Sequence, residues 1–293
     1  MSEIQSYPTL QLVQECKIHA LLPSKSVDDR MEASGVCLKD GRFYVIFDNS
    51  PHIARLDASL APGHPANTLI RQRGESTGFE DITYHQTSKH FLVILEALIF
   101  DENTYKPNIE EYTEDFRYLG NAWVDFPLQG LNKGMEGLAY IRHGGEDYLL
   151  GLCESNKCRA GKEGRKPGGG RIQLLQRSDT QWEHRGTLKL PESVAFEDYA
   201  CLDADNHRLA VVSQMTSALW VGQLCEDRWE WVDNGRVYQF PRDPDGNILY
   251  CNVEGVNWIT PTQIVVVSDK RKPGEQSKHC TEKDQSIHIF NLL

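Results

Sequence analysis

The chain is built from short apolar runs that are separated by polar turns rich in Gly, Asn and Asp. The clearest runs are FYVIFD, FLVILE, YLLGLCE, LAVVSQ and IVVVSD, which begin at residues 43, 91, 148, 209 and 264. Each of them ends in a polar residue. Runs of this length and composition, with no amphipathic helical period between them, predict an all-β fold.

A second motif precedes each of these runs and repeats through the chain. In MEGLAYI, at 135–141, an acidic residue followed by Gly stands at the head of an apolar strand. Related copies are EASGVCL, GFEDITY, AFEDYACL and NVEGVNWI, which begin at residues 32, 78, 195 and 252. The equivalent residues, in chain order, are Ser34, Glu80, Glu136, Glu197 and Glu254.

A repeat of roughly 50–60 residues with four strands is typical of one blade of a β-propeller. Five copies predict a single five-bladed β-propeller domain that occupies residues 1–293. The expected blades cover about 31–75, 76–130, 131–192, 193–248 and 249–293. Little chain follows the last copy, so we expect segment 8–22 to add an N-terminal strand that closes the last blade and removes the open edges.

The repeat predicts a ring of acidic side chains at one mouth of the central channel. The first strand of a blade lines the channel and the second runs antiparallel to it. We therefore expect the residues at the ends of the second strands to lie close to this ring, one strand further out: Asp48, Glu96, Glu154, Gln214 and Asp269. Carboxylates that converge on an axis repel one another unless some are protonated or a cation neutralises them. Oxygen ligands favour calcium first, then magnesium or manganese. Alternatively, these side chains bind neighbouring backbone amides and hold no metal.

Two basic loops leave from the same mouth. One contains Arg159 and Arg165, and the other contains Lys270 and Arg271. Loops of this charge beside a metal site suit a small anionic substrate such as a phosphate ester. The other interpretation is that these Gly-rich loops are solvated and bind nothing.

The overall charge excludes some classes of partner. The 293 residues carry a formal net charge of -11, which argues against general binding to nucleic acid or to an anionic membrane. The N-terminus has no basic segment followed by an apolar one, and no apolar run is long enough for a membrane span. We therefore expect a cytoplasmic protein with reduced cysteines, and leave its oligomeric state open.

The motifs also resemble those of known propeller families. MEGLAYI followed by YLLGLCES, and VEGVNWI followed by VVVSDK, resemble the strand repeat of the esterase-like phytase group. The ring of Glu and Ser is similar to that of the calcium-activated nucleotidases (apyrases). That resemblance implies five blades, with calcium on the axis. It implies, as metal neighbours, Ser34, Glu80, Glu136, Glu197 and Glu254.

These observations predict a metal-dependent hydrolase acting on a small, anionic, phosphorylated substrate. The ion would polarise a phosphoryl oxygen or activate a water. The nucleophile would be oriented or deprotonated by Asp48, Glu96, Glu154 or Asp269. Arg159, Arg165, Lys270 and Arg271 would bind the anion. Two alternatives remain open: a non-catalytic module that binds a peptide or protein, and a metal-dependent lyase or lactonase.

Overall fold

The computed structural model folds the chain into five four-stranded antiparallel sheets, arranged as a five-bladed β-propeller. Its description covers residues 7–23, 25–26, 28–71, 78–130, 134–270 and 277–293. The few helical turns in these ranges are short. They are α1 (Ile18–Leu21), α2 (Gly161–Gly164), and the 3-10 turns Asn156–Cys158 and Lys278–Cys280. No helix of the described residues is both long and apolar enough to cross a bilayer.

The strands follow one another outward from the channel in each blade. Blade 1 contains β2 (Ala33–Lys39), β3 (Arg42–Phe47), β4 (Ser50–Asp57) and β5 (Thr68–Arg71). Blade 2 contains β6 (Phe79–His85), β7 (His90–Asp101), β8 (Thr104–Tyr112) and β9 (Tyr118–Trp123). Blade 3 contains β10 (Met135–His143), β11 (Glu146–Cys153), β12 (Arg171–Arg177) and β13 (Trp182–Lys189). Blade 4 contains β14 (Cys201–Asp205), β15 (Arg208–Ser213), β16 (Ala218–Gln223) and β17 (Arg236–Gln239).

Blade 5 is assembled from both ends of the chain. Its inner strands are β18 (Val253–Thr260), β19 (Gln263–Ser268) and β20 (Ser286–Asn291), and its outer strand is β1 (Gln11–Lys17). β1 pairs antiparallel with β20, with Lys17 opposite Ser286. The predicted fold class and the N-terminal strand that closes the last blade are therefore confirmed.

The apolar core lies between adjacent blades. The second strand of each blade is buried on both faces, so its alternate residues pack against opposite neighbours. Five clusters of buried residues result, and together they close the ring. Each cluster contains residues from the second strands of two neighbouring blades. The pairs are Val45 with Val265, Ile46 with Val93, Ile94 with Leu149, Leu150 with Val211, and Val212 with Val266.

The channel is narrow where the five first strands meet. β2, β6, β10, β14 and β18 each contact the first strands on either side. One register position of this inner wall carries Gly35, Asp81, Gly137, Cys201 and Gly255. A Cβ on Gly35 would lie 2.8 Å from Asp81 Oδ1 and 2.9 Å from Asp81 Cα. Three glycines thus leave the space in which one carboxyl and one thiol fit.

Asp81 joins three blades through hydrogen bonds. Its Oδ2 accepts from the backbone amide of Leu138 at 2.7 Å and from the Cys201 thiol at 3.2 Å, and its Oδ1 accepts from the amide of Ile82 at 2.8 Å. Burial raises the pKa of Asp81 well above its ordinary value, although these donors act in the opposite direction. The side chain therefore satisfies buried backbone groups where neighbouring strands approach too closely for a larger set of side chains.

Replacing Gly35 with Ala should destabilise the protein by about 1–3 kcal/mol, because the added methyl meets the backbone of Asp81 as well as its hydrogen-bonded carboxyl group, and the backbone cannot easily move away. Urea denaturation followed by tryptophan fluorescence measures the change. Gly130→Ala is the matched control, since a Cβ there has no neighbour within 4 Å, and its effect should stay within about 0.5 kcal/mol. Equal stability of the two variants would contradict the close approach at the channel.

Candidate metal centre and adjacent cleft

The repeat residues occupy β-bulges at the start of four first strands. The register shifts by one residue at Ser34, Glu80, Glu136 and Glu254, so each stands as an extra residue just before the narrow layer of the channel. A bulge re-aims a side chain and is common beside functional sites. Four of the second strands end at the same mouth, immediately before Asp48, Glu154, Gln214 or Asp269. In blade 2 the strand continues to Asp101, and Glu96 lies within it, where its pairing with β8 is irregular between Leu95 and Leu98.

Three carboxylates at this mouth lie close enough to share a metal ion. Oxygens of Glu96, Glu136 and Glu154 are all within 4.8 Å of one another. Ligands on opposite sides of calcium, each at 2.3–2.6 Å, are about 5 Å apart, so the spacing fits such an ion. The structure thus brings Glu136, predicted as a metal neighbour, together with Glu96 and Glu154, predicted as catalytic.

Two carboxyl groups at this mouth have raised pKa values. Burial raises the pKa of Glu136 well above its ordinary value, and the carboxylates of Glu80 and Glu154 raise it further. Burial likewise raises the pKa of Glu80, helped by Glu96 and Asp48 and opposed by a hydrogen bond with Glu136. Without a cation, the cluster therefore retains protons that a divalent ion would displace.

The predicted place of Glu197 in the ring is wrong. β14 begins at Cys201, which pairs with Val212, and the residue in the bulge register of the other blades is therefore Ala200. Glu197 lies three residues earlier and is exposed, while Phe196 and Tyr199 are buried in the core between blades 3 and 4. These two buried aromatic side chains determine the path of the segment. The acidic pair in AFEDYACL therefore resembles the motif in sequence but lies at a different register position.

The other predicted metal neighbours have different surroundings. The Ser34 hydroxyl is buried and donates to the carbonyl of Phe79 in blade 2, so it bonds to a neighbouring blade through a carbonyl and not through an amide. Glu254 lies close enough to Glu136 to raise its pKa. Whether either binds a metal stays a prediction.

Asp269 is a buried carboxyl group with a raised pKa. Burial raises its pKa to about 7, and the nearby Glu32 and Asp48 carboxylates contribute. Its Oδ1 is buried and has no hydrogen-bond partner among the described residues. A carboxyl with a pKa near neutrality can accept or release a proton at physiological pH.

A cleft of about 500 Å³ opens beside the carboxylate cluster, between blades 3 and 4. Glu154 belongs to both, because it also lines the cleft. The wall from blade 3 carries Ser155, Arg159 and Arg165, and the facing wall carries Glu197 and Asp198. Of the predicted anion-binding residues, the structure therefore places two at the cleft. Lys270 does not line it, and Arg271 lies outside the described residues.

The basic loop of blade 3 is fixed by a buried amide. Asn156 is fully buried, and its Nδ2 donates to the carbonyls of Gly164, Phe196 and Glu197 at 3.0–3.3 Å. Its Oδ1 accepts from the Gly169 amide and the Tyr199 hydroxyl. These bonds tie both ends of the loop to blade 4, so the wall of the cleft is held in place.

A disulfide also fixes this loop. Cys153 at the end of β11 is bonded to Cys158, and a second disulfide joins Cys251 to Cys280. The expectation of reduced cysteines is therefore wrong for these four residues. The first bond encloses Glu154 and Ser155, the residues that connect the metal cluster to the cleft. Cys158 lies in the left-handed backbone region at φ 53°, which a non-glycine residue adopts only where its surroundings enforce it.

Sequence reasoning missed Ser155, Asn156 and Asp81. Asn156 and Ser155 lie in a Gly- and Lys-rich loop whose composition predicts solvation rather than anchoring. The signal for Asp81 was present: three motif copies have Gly where GFEDITY has Asp and AFEDYACL, in its true register, has Cys. A position that alternates between Gly and one larger residue indicates a crowded axis.

Comparison with known proteins supports the fold. No protein-family model and no curated protein sequence matches this chain. Regucalcin from Agrobacterium tumefaciens, described as a calcium-binding protein, aligns with a TM-score of 0.53 at 7% identity, over 97% of this chain and 95% of that chain. PQQ-bound aldose sugar dehydrogenase from Streptomyces coelicolor aligns with a TM-score of 0.52 at 9% identity, over 97% of this chain and 98% of that chain. The WD40 repeats of RRP9 give 0.49 at 8%, over 97% and 100%. Such identities show the propeller fold alone.

Glu136→Gln should remove the stabilisation that calcium confers on the protein. At a hundredfold excess over its dissociation constant, a bound ion stabilises the folded state by about 2.7 kcal/mol, which differential scanning fluorimetry detects as a higher Tm. Without metal, the variant should be at least as stable as the wild type at pH 8, because it lacks one of the repelling carboxylates.

The pH dependence of the metal-free protein provides a second test. The raised pKa values of Glu80 and Glu136 mean that the folded state binds more protons than the unfolded state above the ordinary Glu value of 4.5. Stability should therefore fall as the pH rises from there, and calcium should reverse the loss. Glu146→Gln, an exposed change on the same blade, is the control. A calcium shift retained in Glu136→Gln would contradict the metal centre.

Proposed function

We propose that this protein is a calcium-dependent hydrolase that acts on a small phosphate ester at the channel mouth. The observation that carries the proposal is that Glu154 lies both in the carboxylate cluster and on the wall of a cleft that presents Arg159 and Arg165. A cation site and an anion-binding wall therefore meet at one residue. This arrangement suits a reaction at a phosphorus centre, where negative charge has to be neutralised.

Glu96, Glu136 and Glu154 would hold the ion. Hard oxygen ligands favour calcium, and the bound ion would act as a Lewis acid towards a phosphoryl oxygen. The amide of Gly134 donates to Glu96 Oε1 at 2.8 Å, and this bond orients one ligand. The bulge at Glu136 and the disulfide beside Glu154 restrict the other two.

The cleft would select the substrate by charge. Arg159 and Arg165 offer planar arrays of donors that match a phosphate group. The facing wall carries Glu197 and Asp198, which disfavour a second anionic group in the same ligand. A monophosphate ester of an alcohol with further hydroxyl groups fits both walls better than a nucleoside triphosphate does.

Asp269 would transfer the proton. Its pKa of about 7 allows the carboxylate to take a proton from an attacking water, and the carboxylic acid to return one to the leaving oxygen. Burial is the main reason that this pKa is high, and the negative charges of Glu32 and Asp48 add to it. The four predicted catalytic residues would therefore have different roles. Glu96 and Glu154 would bind the ion, and Asp269, with its pKa of about 7, would exchange the proton near neutral pH.

One fold neighbour and the sequence motifs support this proposal. The calcium-binding description of the regucalcin structure supports a cation in a propeller of this kind. The motif resemblance to esterase-like phytases and apyrases supports phosphate-ester chemistry. The predicted alternatives, a peptide- or protein-binding module and a metal-dependent lyase or lactonase, are outcomes that the same assays identify.

Phosphate release from sugar phosphates and glycerol phosphates should require calcium and stop on chelation. Asp269→Asn should lower kcat by about 100-fold or more, because the variant cannot exchange the proton. Wild-type kcat should rise as the pH increases through about 7, where Asp269 loses its proton, and this rise should vanish in the variant.

Asp245→Asn, an exposed acidic residue on a turn of blade 4, is the control for the loss of charge. Lactone opening without phosphate release would replace the proposal by the lactonase alternative. Calcium binding without turnover of any ester or lactone would favour the non-catalytic module.

A further inference from the structure

Ser155 is a buried hydroxyl for which the described part of the protein supplies no partner. The residue is 6% exposed, and its Oγ makes no hydrogen bond with the described residues. Most buried side-chain polar atoms in folded proteins are paired, and one that is not calls for an explanation, such as a functional role or a bound water or ion. Ser155 lines the cleft, next to Glu154 in the chain.

The segment around Ser155 is held in place by a disulfide and by hydrogen bonds. The Cys153–Cys158 disulfide encloses Ser155. The neighbouring Asn156 makes three hydrogen bonds to the segment that leads into blade 4 and two within the loop. The loop also folds back tightly, since a Cβ on Gly164 would lie 1.8 Å from the Arg159 carbonyl oxygen and 3.1 Å from Ser155 Cβ. Only glycine permits this approach, which brings Arg159, Arg165 and Ser155 to one wall.

We propose that Ser155, Arg159 and Arg165 form an oxyanion subsite, in which the Ser155 hydroxyl donates to an oxygen of a bound phosphate group. The inference rests on the proposed function, because it takes the cleft to be the substrate site. The two guanidinium groups would neutralise the charge of the phosphate group, and the Ser155 hydroxyl would supply a directional donor from the same wall of the cleft. The ligand class is a tetrahedral oxyanion.

This role predicts opposite effects on stability and on binding. In a hydroxyl that only supports the fold, loss of the oxygen breaks a hydrogen bond and lowers Tm. Ser155 has no such bond to lose among the described residues, so Ser155→Ala should leave the Tm of the free protein unchanged or raise it. Its affinity for an oxyanion should nevertheless fall, because a hydrogen bond to a charged group is lost.

Isothermal titration calorimetry with inorganic sulfate tests the inference on the full-length protein in the presence of calcium. Sulfate is a tetrahedral dianion that the protein cannot hydrolyse, so the result does not depend on turnover. Wild-type protein should bind sulfate, and Ser155→Ala should bind it about tenfold more weakly. Arg159→Ala and Arg165→Ala should each weaken binding further.

Ser286→Ala is the matched control. Ser286 is also a buried serine, but its hydroxyl donates to the Asp284 carbonyl at 2.7 Å, so its loss should lower Tm and leave sulfate affinity unchanged. Equal sulfate affinity of Ser155→Ala and wild type, or no sulfate binding by the wild type, would overturn the subsite. Calcium-dependent phosphate release can persist in either case, so failure of the subsite is distinguishable from failure of the proposed function.

Discussion

The convergence of five strands on one axis is the constraint on which the rest of this structure depends. At the layer of Gly35, Gly137 and Gly255, neighbouring backbones leave room for only two side chains, Asp81 and Cys201. Asp81 uses that room to pair buried amides from its own and the adjacent blade. Because the inner strands approach so closely at this layer, the side chains of the preceding residues cannot extend further down the channel. The bulged residues before this layer therefore remain at the mouth, where Glu80 and Glu136 face one another.

Because of this crowding, the structural repeat brings carboxyl groups close together at one mouth of the channel. Carboxylates placed by equivalent positions in successive blades raise one another's pKa, and the energetic cost is relieved by protons or by a cation. Blade 4 breaks the repeat with Ala200, and a cleft lies between blades 3 and 4. The loop held by Asn156 and a disulfide places arginines at this cleft.

The sequence predicted the features that depend on repetition. Strand patterns and a recurring motif were sufficient for five blades, for the closing strand β1 and for the acidic mouth around Glu136. They failed where a non-repeating contact determines the path, as at Glu197, where buried Phe196 and Tyr199 displace the acidic pair from its register. Ser155 and Asn156 were invisible for a similar reason: their surroundings arise from contacts with another blade. The disulfides require knowledge of which cysteines approach each other, which spacing alone does not supply.

The central claim is that protons on the carboxylate cluster occupy the place of a divalent cation. Calorimetric titration of metal-free protein with calcium near pH 7, repeated in buffers of different ionisation enthalpy, counts the protons released when the ion binds. The account predicts binding of one ion with net proton release, and a release that decreases as the pH rises and the pKa values of Glu80 and Glu136 are passed. Calcium binding without proton release, or no binding at all, would contradict it.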